Sequence, residues 1–121
     1  DRIHVVPIGI DTDFFAPQPS IDRIPGRIVS TASADVPLKG QRYLLEALAK
    51  VREKYPNVHL ELVGKQREGS TTAETLEQLG LSDIVNFNQG ISYKELVDLL
   101  ASASVADRSP ACTKAHKERT E

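Results

Sequence analysis

The chain has 121 residues, with 17 acidic side chains against 15 basic ones and a formal net charge of −2. That is one domain's worth of sequence, and it has no basic run interleaved with aromatics, which argues against a nucleic-acid partner. The single cysteine, Cys112, cannot form an internal disulfide, and no apolar stretch approaches the roughly 20 residues needed to cross a bilayer. No transmembrane segment is therefore expected, and a reducing, cytoplasmic setting fits best. The chain has no methionine and no charged leader followed by an apolar core, so it reads as a piece of a longer protein.

Residues 3–6, Ile-His-Val-Val, form a β-rich run stopped by Pro7, and Gly9, Asp11, Thr12 and Asp13 supply turn chemistry before Phe14-Phe15. A strand leading into a structured turn is expected. Residues 16–26 hold Pro17, Pro19, Ser20, Pro25 and Gly26 with little periodicity, the composition of a linker, and a new unit begins near Arg27. From there strands at 27–32, 58–63 and 84–88 alternate with helices at about 41–55, 72–79 and 93–101. Strict alternation argues for an α/β fold built on a parallel sheet with right-handed crossovers.

Local signals support these boundaries. Leu44, Leu45, Leu48, Val51 and Tyr55 share one face at helical spacing, and Pro56-Asn57 ends that helix. Thr71 with Glu74 and Ser92 with Glu95 have capping-box spacing, and Gly80 stands where a left-handed C-terminal cap belongs. Val58, Leu60 and Leu62 alternate with His59 and Glu61, which places that strand near an edge or gives it one partly exposed face, with His59 toward solvent. No two of His4, His59 and His116 have metal-ligand spacing, so no metal is assigned. Ala103-Ser104-Val105-Ala106 reads as the start of another buried strand, whereas residues 107–121 are too polar to offset the ordering of their backbone and read as disordered.

The segment from Ser30 to Gly40 joins the first strand of this alternation to its first helix and ends in Lys39-Gly40. A helix N-terminus offers unpaired amides and partial positive charge, so this junction can present an anion with backbone donors and an ammonium. Lys-Gly before a helix is also common in loops that bind nothing.

Several segments in order resemble the group 1 glycosyltransferases, retaining enzymes with two Rossmann-like domains that use nucleotide-diphosphate sugars. The resemblance runs over roughly residues 2–106. It is carried by Val6-Pro7-Ile8-Gly9-Ile10-Asp11-Thr12-Asp13-Phe14-Phe15, Pro37-Leu38-Lys39-Gly40, Tyr43-Leu44-Leu45-Glu46-Ala47, Leu60-Glu61-Leu62-Val63-Gly64, and Val85-Asn86-Phe87-Asn88-Gln89-Gly90-Ile91 with Glu95-Leu96. It implies that residues 1–15 end an N-terminal acceptor domain and the interdomain segment, that 16–26 are a linker, and that 27–106 are the first part of the donor-binding domain. On the same resemblance Lys39 and Gly40 would bind the diphosphate of a UDP- or GDP-sugar. The loops holding Gly64, Lys65, Gly90 and Ile91 would face the nucleotide crevice, as open α/β sheets arrange their ligands. Gly9 would face the interdomain cleft, its bland alternative being a glycine needed for a positive φ.

The resemblance calls for no cofactor, and no residue of this chain is assigned to catalysis. The intact protein would be at most peripheral to the inner face of a membrane. Two departures stand out. Where the family often has an arginine five residues before the lysine, this chain has Ala34, and residues 107–121 hold nothing like the family's acidic motif of paired glutamates. A truncated or frame-shifted chain is therefore expected, with the acceptor domain lacking; Ala111-Cys112-Thr113-Lys114-Ala115 can be encoded so that another frame spells Leu-Tyr-Glu-Gly. Sequencing the gene through codon 121 tests this, since no acidic motif in another frame would sink it. The residues alone also allow a non-catalytic Rossmann-like module that binds an anion or a partner, and a sugar-nucleotide epimerase fits less well. An unpaired sheet edge would favour self-association.

Overall fold

The computed structural model describes residues 2–31 and 40–107. Among the described residues four strands and three helices alternate: β1 (Arg27–Ser30), α1 (Gln41–Lys54), β2 (His59–Val63), α2 (Thr71–Leu79), β3 (Val85–Asn88), α3 (Tyr93–Ser102) and β4 (Val105–Asp107). All strand pairs are parallel and the sheet order is β3-β2-β1-β4. This is a Rossmann-like α/β arrangement, in which the chain steps outward twice from β1 and then crosses back to lay β4 on its other side.

The core follows from the two periodicities. Leu45 and Leu48, at helical spacing on α1, and Leu76 on α2 close over Leu60, Leu62 and Val85, which the register of β2 and β3 sets on one face. Helices α1 and α2 pack against each other there, and α3 packs against β1. Val29 points opposite to Ile28, and its burial together with Val97 and Ala103 marks a smaller second core.

Expected helix ends largely coincide with observed ones. Ser92 and Glu95 form the full capping box, and Gly80 closes α2 in the left-handed conformation. The first turn of α2 is shifted: Ser70, not Thr71, is the N-cap, its side chain accepting from the Ala73 amide. Val51 and Tyr55 are exposed although they continue the apolar face of α1.

Three strand expectations need correction. Residues 3–6 form no strand; Ile3 is 95% exposed and the stretch pairs with nothing among the described residues. An isolated β-prone segment has no ladder to join. Strand β2 lies inside the sheet, between β1 and β3, and Glu61 is buried because side-chain amides of β3 bond it. The expected strand at 103–106 is ordered as Val105–Asp107 and is an edge, with Val105 and Ala106 exposed and only Ser102 and Ala103 buried.

The turn before the linker is present: the Asp11 carboxylate accepts from the amides of Asp13 and Phe14, and its carbonyl accepts from Phe15. The segment that follows runs beside α3. Phe15 meets Tyr93 edge-on at 6.0 Å, the Ile24 amide donates to the Ser102 carbonyl, and Ser104 donates to the Ile24 carbonyl. Ala34, Lys39, Cys112 and His116 lie outside the described residues, as does the tail expected to be disordered over 107–121 except for Asp107, which ends β4 instead.

Candidate functional site

The C-terminal ends of parallel strands and the N-termini of the following helices meet on one side of such a sheet, which is where ligands gather in open α/β folds. Here that edge carries Gly40 and Gln41 at the start of α1, Gly64 and Lys65 after β2, Ser70 at the start of α2, and Gly90 and Ile91 after β3. Gly40 adopts φ 69° and ψ 16°, a left-handed conformation that glycine takes without steric cost. It is the N-cap of a 14-residue helix and offers no side-chain acceptor, and the first turn holds no acidic residue. Among the described residues, the positive end of α1 thus has no side-chain cap and no carboxylate in its first turn to neutralise it.

The other two helix starts are closed. Ser70 caps α2, and at α3 the Ser92 amide donates to Glu95 Oε2 at 2.7 Å while Ser92 Oγ accepts from the Glu95 amide. The Ser92 backbone amide, helped by the Ser92 hydroxyl, holds the Glu95 carboxyl below its ordinary value.

Gln41, Gly64, Lys65, Gln66, Ser70, Thr72 and Phe87 line a narrow crevice of about 10 Å³ between α1, α2 and the end of β2. Its floor is a buried polar pair, Thr72 Oγ1 donating to Gln41 Oε1 at 2.9 Å. Lys65 stands exposed at the mouth and makes no ion pair among the described residues. The Gly64 amide donates to the Asn88 carbonyl at 3.1 Å, so the loops carrying Gly64-Lys65 and Gly90-Ile91 leave the sheet side by side.

The structure therefore brings Gly40, Gly64 and Lys65 to one edge with Gly90 and Ile91 next to them. Lys39, the residue expected to carry most of the charge, lies outside the described residues. Gly9 does not line the crevice; it sits in the exposed segment 2–10 with nothing within 4 Å of an added Cβ. Its φ is not positive, which removes the conformational reason for a glycine there.

Gln41 and Thr72 were not among the sequence-derived candidates. The available signal was a polar residue on an apolar stripe: Gln41 continues the spacing of Leu45 and Leu48, and Thr72 that of Thr75, Leu76 and Leu79. A larger cleft of about 440 Å³ runs between residues 15–23 and α3, but its wall is mostly apolar and Arg23 is its only charged group. Among the described residues no cluster of His, Cys, Asp or Glu could hold a metal ion, and no helix is long and apolar enough to cross a membrane.

The sequence profile of the family described as "Glycosyl transferases group 1" matches residues 22–107, which include the whole sheet and every element lining this crevice. The chain belongs to the group 1 glycosyl transferases. Two curated relatives are similar to it. One is an "MMP alpha-(1->4)-mannosyltransferase" from Mycolicibacterium hassiacum, 47% identical over 106 residues, covering 88% of this chain and 25% of the relative. The other is a "GDP-mannose-dependent alpha-(1-6)-phosphatidylinositol monomannoside mannosyltransferase" from Mycolicibacterium smegmatis, 37% identical over 112 residues, covering 83% of this chain and 28% of the relative. This group 1 glycosyl transferase chain thus spans about a quarter of the length of the curated relatives it matches.

Proposed function

We propose that the chain supplies the donor half-site of a retaining glycosyltransferase, binding a nucleoside-diphosphate sugar at the C-terminal edge of its sheet while the acceptor is held by a separate domain. The observation that carries this reading is the positive end of α1 among the described residues: Gly40 gives it no side-chain cap, its first turn holds no acid, and Lys65 stands at the crevice beside it. As the bond to the sugar breaks, the leaving diphosphate gains negative charge, and the amides at the start of α1 with Lys65, joined by Lys39 one residue before Gly40 in the sequence, would stabilise it more than they stabilise the ground state. Gly64, Gly90 and Ile91 present backbone at the neighbouring strand ends, where the nucleoside would lie.

Both relatives are mannosyltransferases by name, and one is named as GDP-mannose-dependent. GDP-mannose is therefore the proposed donor. Ligand-observed NMR on the 121-residue chain with GDP and UDP tests the reading. Saturation transfer to GDP in preference to UDP is expected, with Lys39→Ala weakening it by on the order of 1 kcal/mol, the scale on which single polar and ionic contacts count. A folded chain that transfers to neither diphosphate overturns the donor-site reading.

A further inference from the structure

Gln41 is the first residue of α1 and its side chain is only 8% exposed, an unusual place for a primary amide unless both of its ends are used. One end is used inside the protein. The Thr72 hydroxyl donates to Gln41 Oε1, which fixes the plane of the amide and leaves the Nε2 group to the crevice lined by Gly64, Lys65, Gln66 and Ser70. Among the described residues nothing accepts from that Nε2. A buried donor left unpaired is costly, so the arrangement calls for an acceptor from outside the fold.

The size and charge of the crevice narrow down what that acceptor is. About 10 Å³ is room for a single oxygen atom, and the surroundings are the uncapped positive end of a 14-residue helix with no acid in its first turn and the Lys65 ammonium at the mouth. Ser70 Oγ, the other hydroxyl on the wall besides that of Thr72, already accepts from the Ala73 amide. We propose that Gln41 Nε2 donates to a non-bridging phosphate oxygen of the donor diphosphate, making Gln41 a phosphate-binding and positioning residue held in register by Thr72. This assignment rests on the donor-site reading above and adds to it a residue that reads the diphosphate rather than the base.

Titration of the 15N-labelled chain with GDP, and with guanosine as the phosphate-free control, tests the assignment. The Gln41 side-chain NH2 resonances are expected to shift with GDP and not with guanosine. Gln41→Glu keeps the oxygen that accepts from Thr72 but replaces the donor with a negative acceptor, and it is expected to weaken GDP binding about ten-fold or more. Gln41→Leu, which removes the donor together with the oxygen that accepts from Thr72, is expected to cost about five-fold, with guanosine binding unchanged in both. Undiminished GDP affinity in folded Gln41→Glu overturns the proposal and leaves the crevice to an ordered water. Failure of the unmodified chain to bind GDP instead overturns the donor-site reading, so the two failures are told apart.

Discussion

Asn88 donates its side-chain amide to Glu61 Oε2 at 2.7 Å, and Asn86 donates to the other carboxylate oxygen at 3.1 Å, so one buried acidic side chain on β2 ties down both ends of β3. Glu61 is 7% exposed and faces away from Leu60 and Leu62. Glu61→Ala would leave two amide groups without their acceptor in a half-buried setting, and a loss of about 1–3 kcal/mol in unfolding free energy is expected from chemical denaturation. Because the Asn88 carbonyl accepts from the Gly64 amide, hydrogen exchange at Gly64 should accelerate more than exchange at Leu60. An unchanged midpoint would mean that water replaces the carboxylate without cost.

Glu61 also marks where the sequence could be read and where it could not. The Leu45 and Leu48 face, the Ser92 and Glu95 box and the Gly80 cap are local patterns, set by residues within a turn or two of each other, and each is found as expected. The burial of Glu61 was not legible because it depends on Asn86 and Asn88, about 25 residues away, and alternation cannot distinguish a solvated face from one satisfied by a neighbouring strand. Residues 3–6 have strand composition, but a strand also needs a partner, which composition does not specify. That Gly64, Lys65 and Gly90 follow strands was legible from the alternation of elements, whereas their facing a nucleotide crevice was implied only by the resemblance. Gln41 was not legible, because a polar residue at a helix start reads as solvated until the packing of α2 encloses it.

Gly26 is a strict steric requirement. It sits at φ 78°, its carbonyl accepts from the His59 amide, and a Cβ added to it would lie 2.7 Å from the Asn57 carbonyl oxygen. Gly26→Ala combines left-handed strain with a backbone clash at the start of β1, so a loss of about 2 kcal/mol or more is expected. Gly69→Ala has a similar φ of 67° but open space around the new Cβ, and it should cost about 1–2 kcal/mol, the conformational part alone. Equal melting temperatures for the two variants would refute the clash.

The end of α1 is joined to the loop after α2 by Arg52, which forms a two-pronged pair with Asp83 at 2.6 and 3.0 Å and also donates to the Gly80 carbonyl at 2.9 Å. The hydrogen bonds from Arg52 hold the Asp83 carboxyl below its ordinary value. A carboxylate lowered by folding contributes stability that is present above its unfolded value and is lost as pH falls through the folded one. Thermal stability should therefore decline on acidification through the carboxylate range, and Asp83→Asn should flatten part of that decline while lowering stability near neutral pH. The pair is exposed, so the effect is small and shrinks with added salt. Identical pH profiles for the variant and the parent chain would remove Asp83 from the acid response.

Lys65 offers a test of how the crevice attracts its ligand. Its ammonium is exposed and free of ion pairs among the described residues, so it acts on an incoming diphosphate through a screened field rather than a desolvated contact. Lys65→Ala is expected to weaken GDP binding by about 0.2–1 kcal/mol at low ionic strength. That penalty should fade as salt approaches about 1 M, where the screening length falls to roughly 3 Å. The Gln41→Leu penalty should persist at the same salt, because a buried neutral donor is not screened. A salt-independent loss on removing Lys65 would instead place its ammonium in direct, dehydrated contact with the phosphates and make it part of the binding floor together with the start of α1.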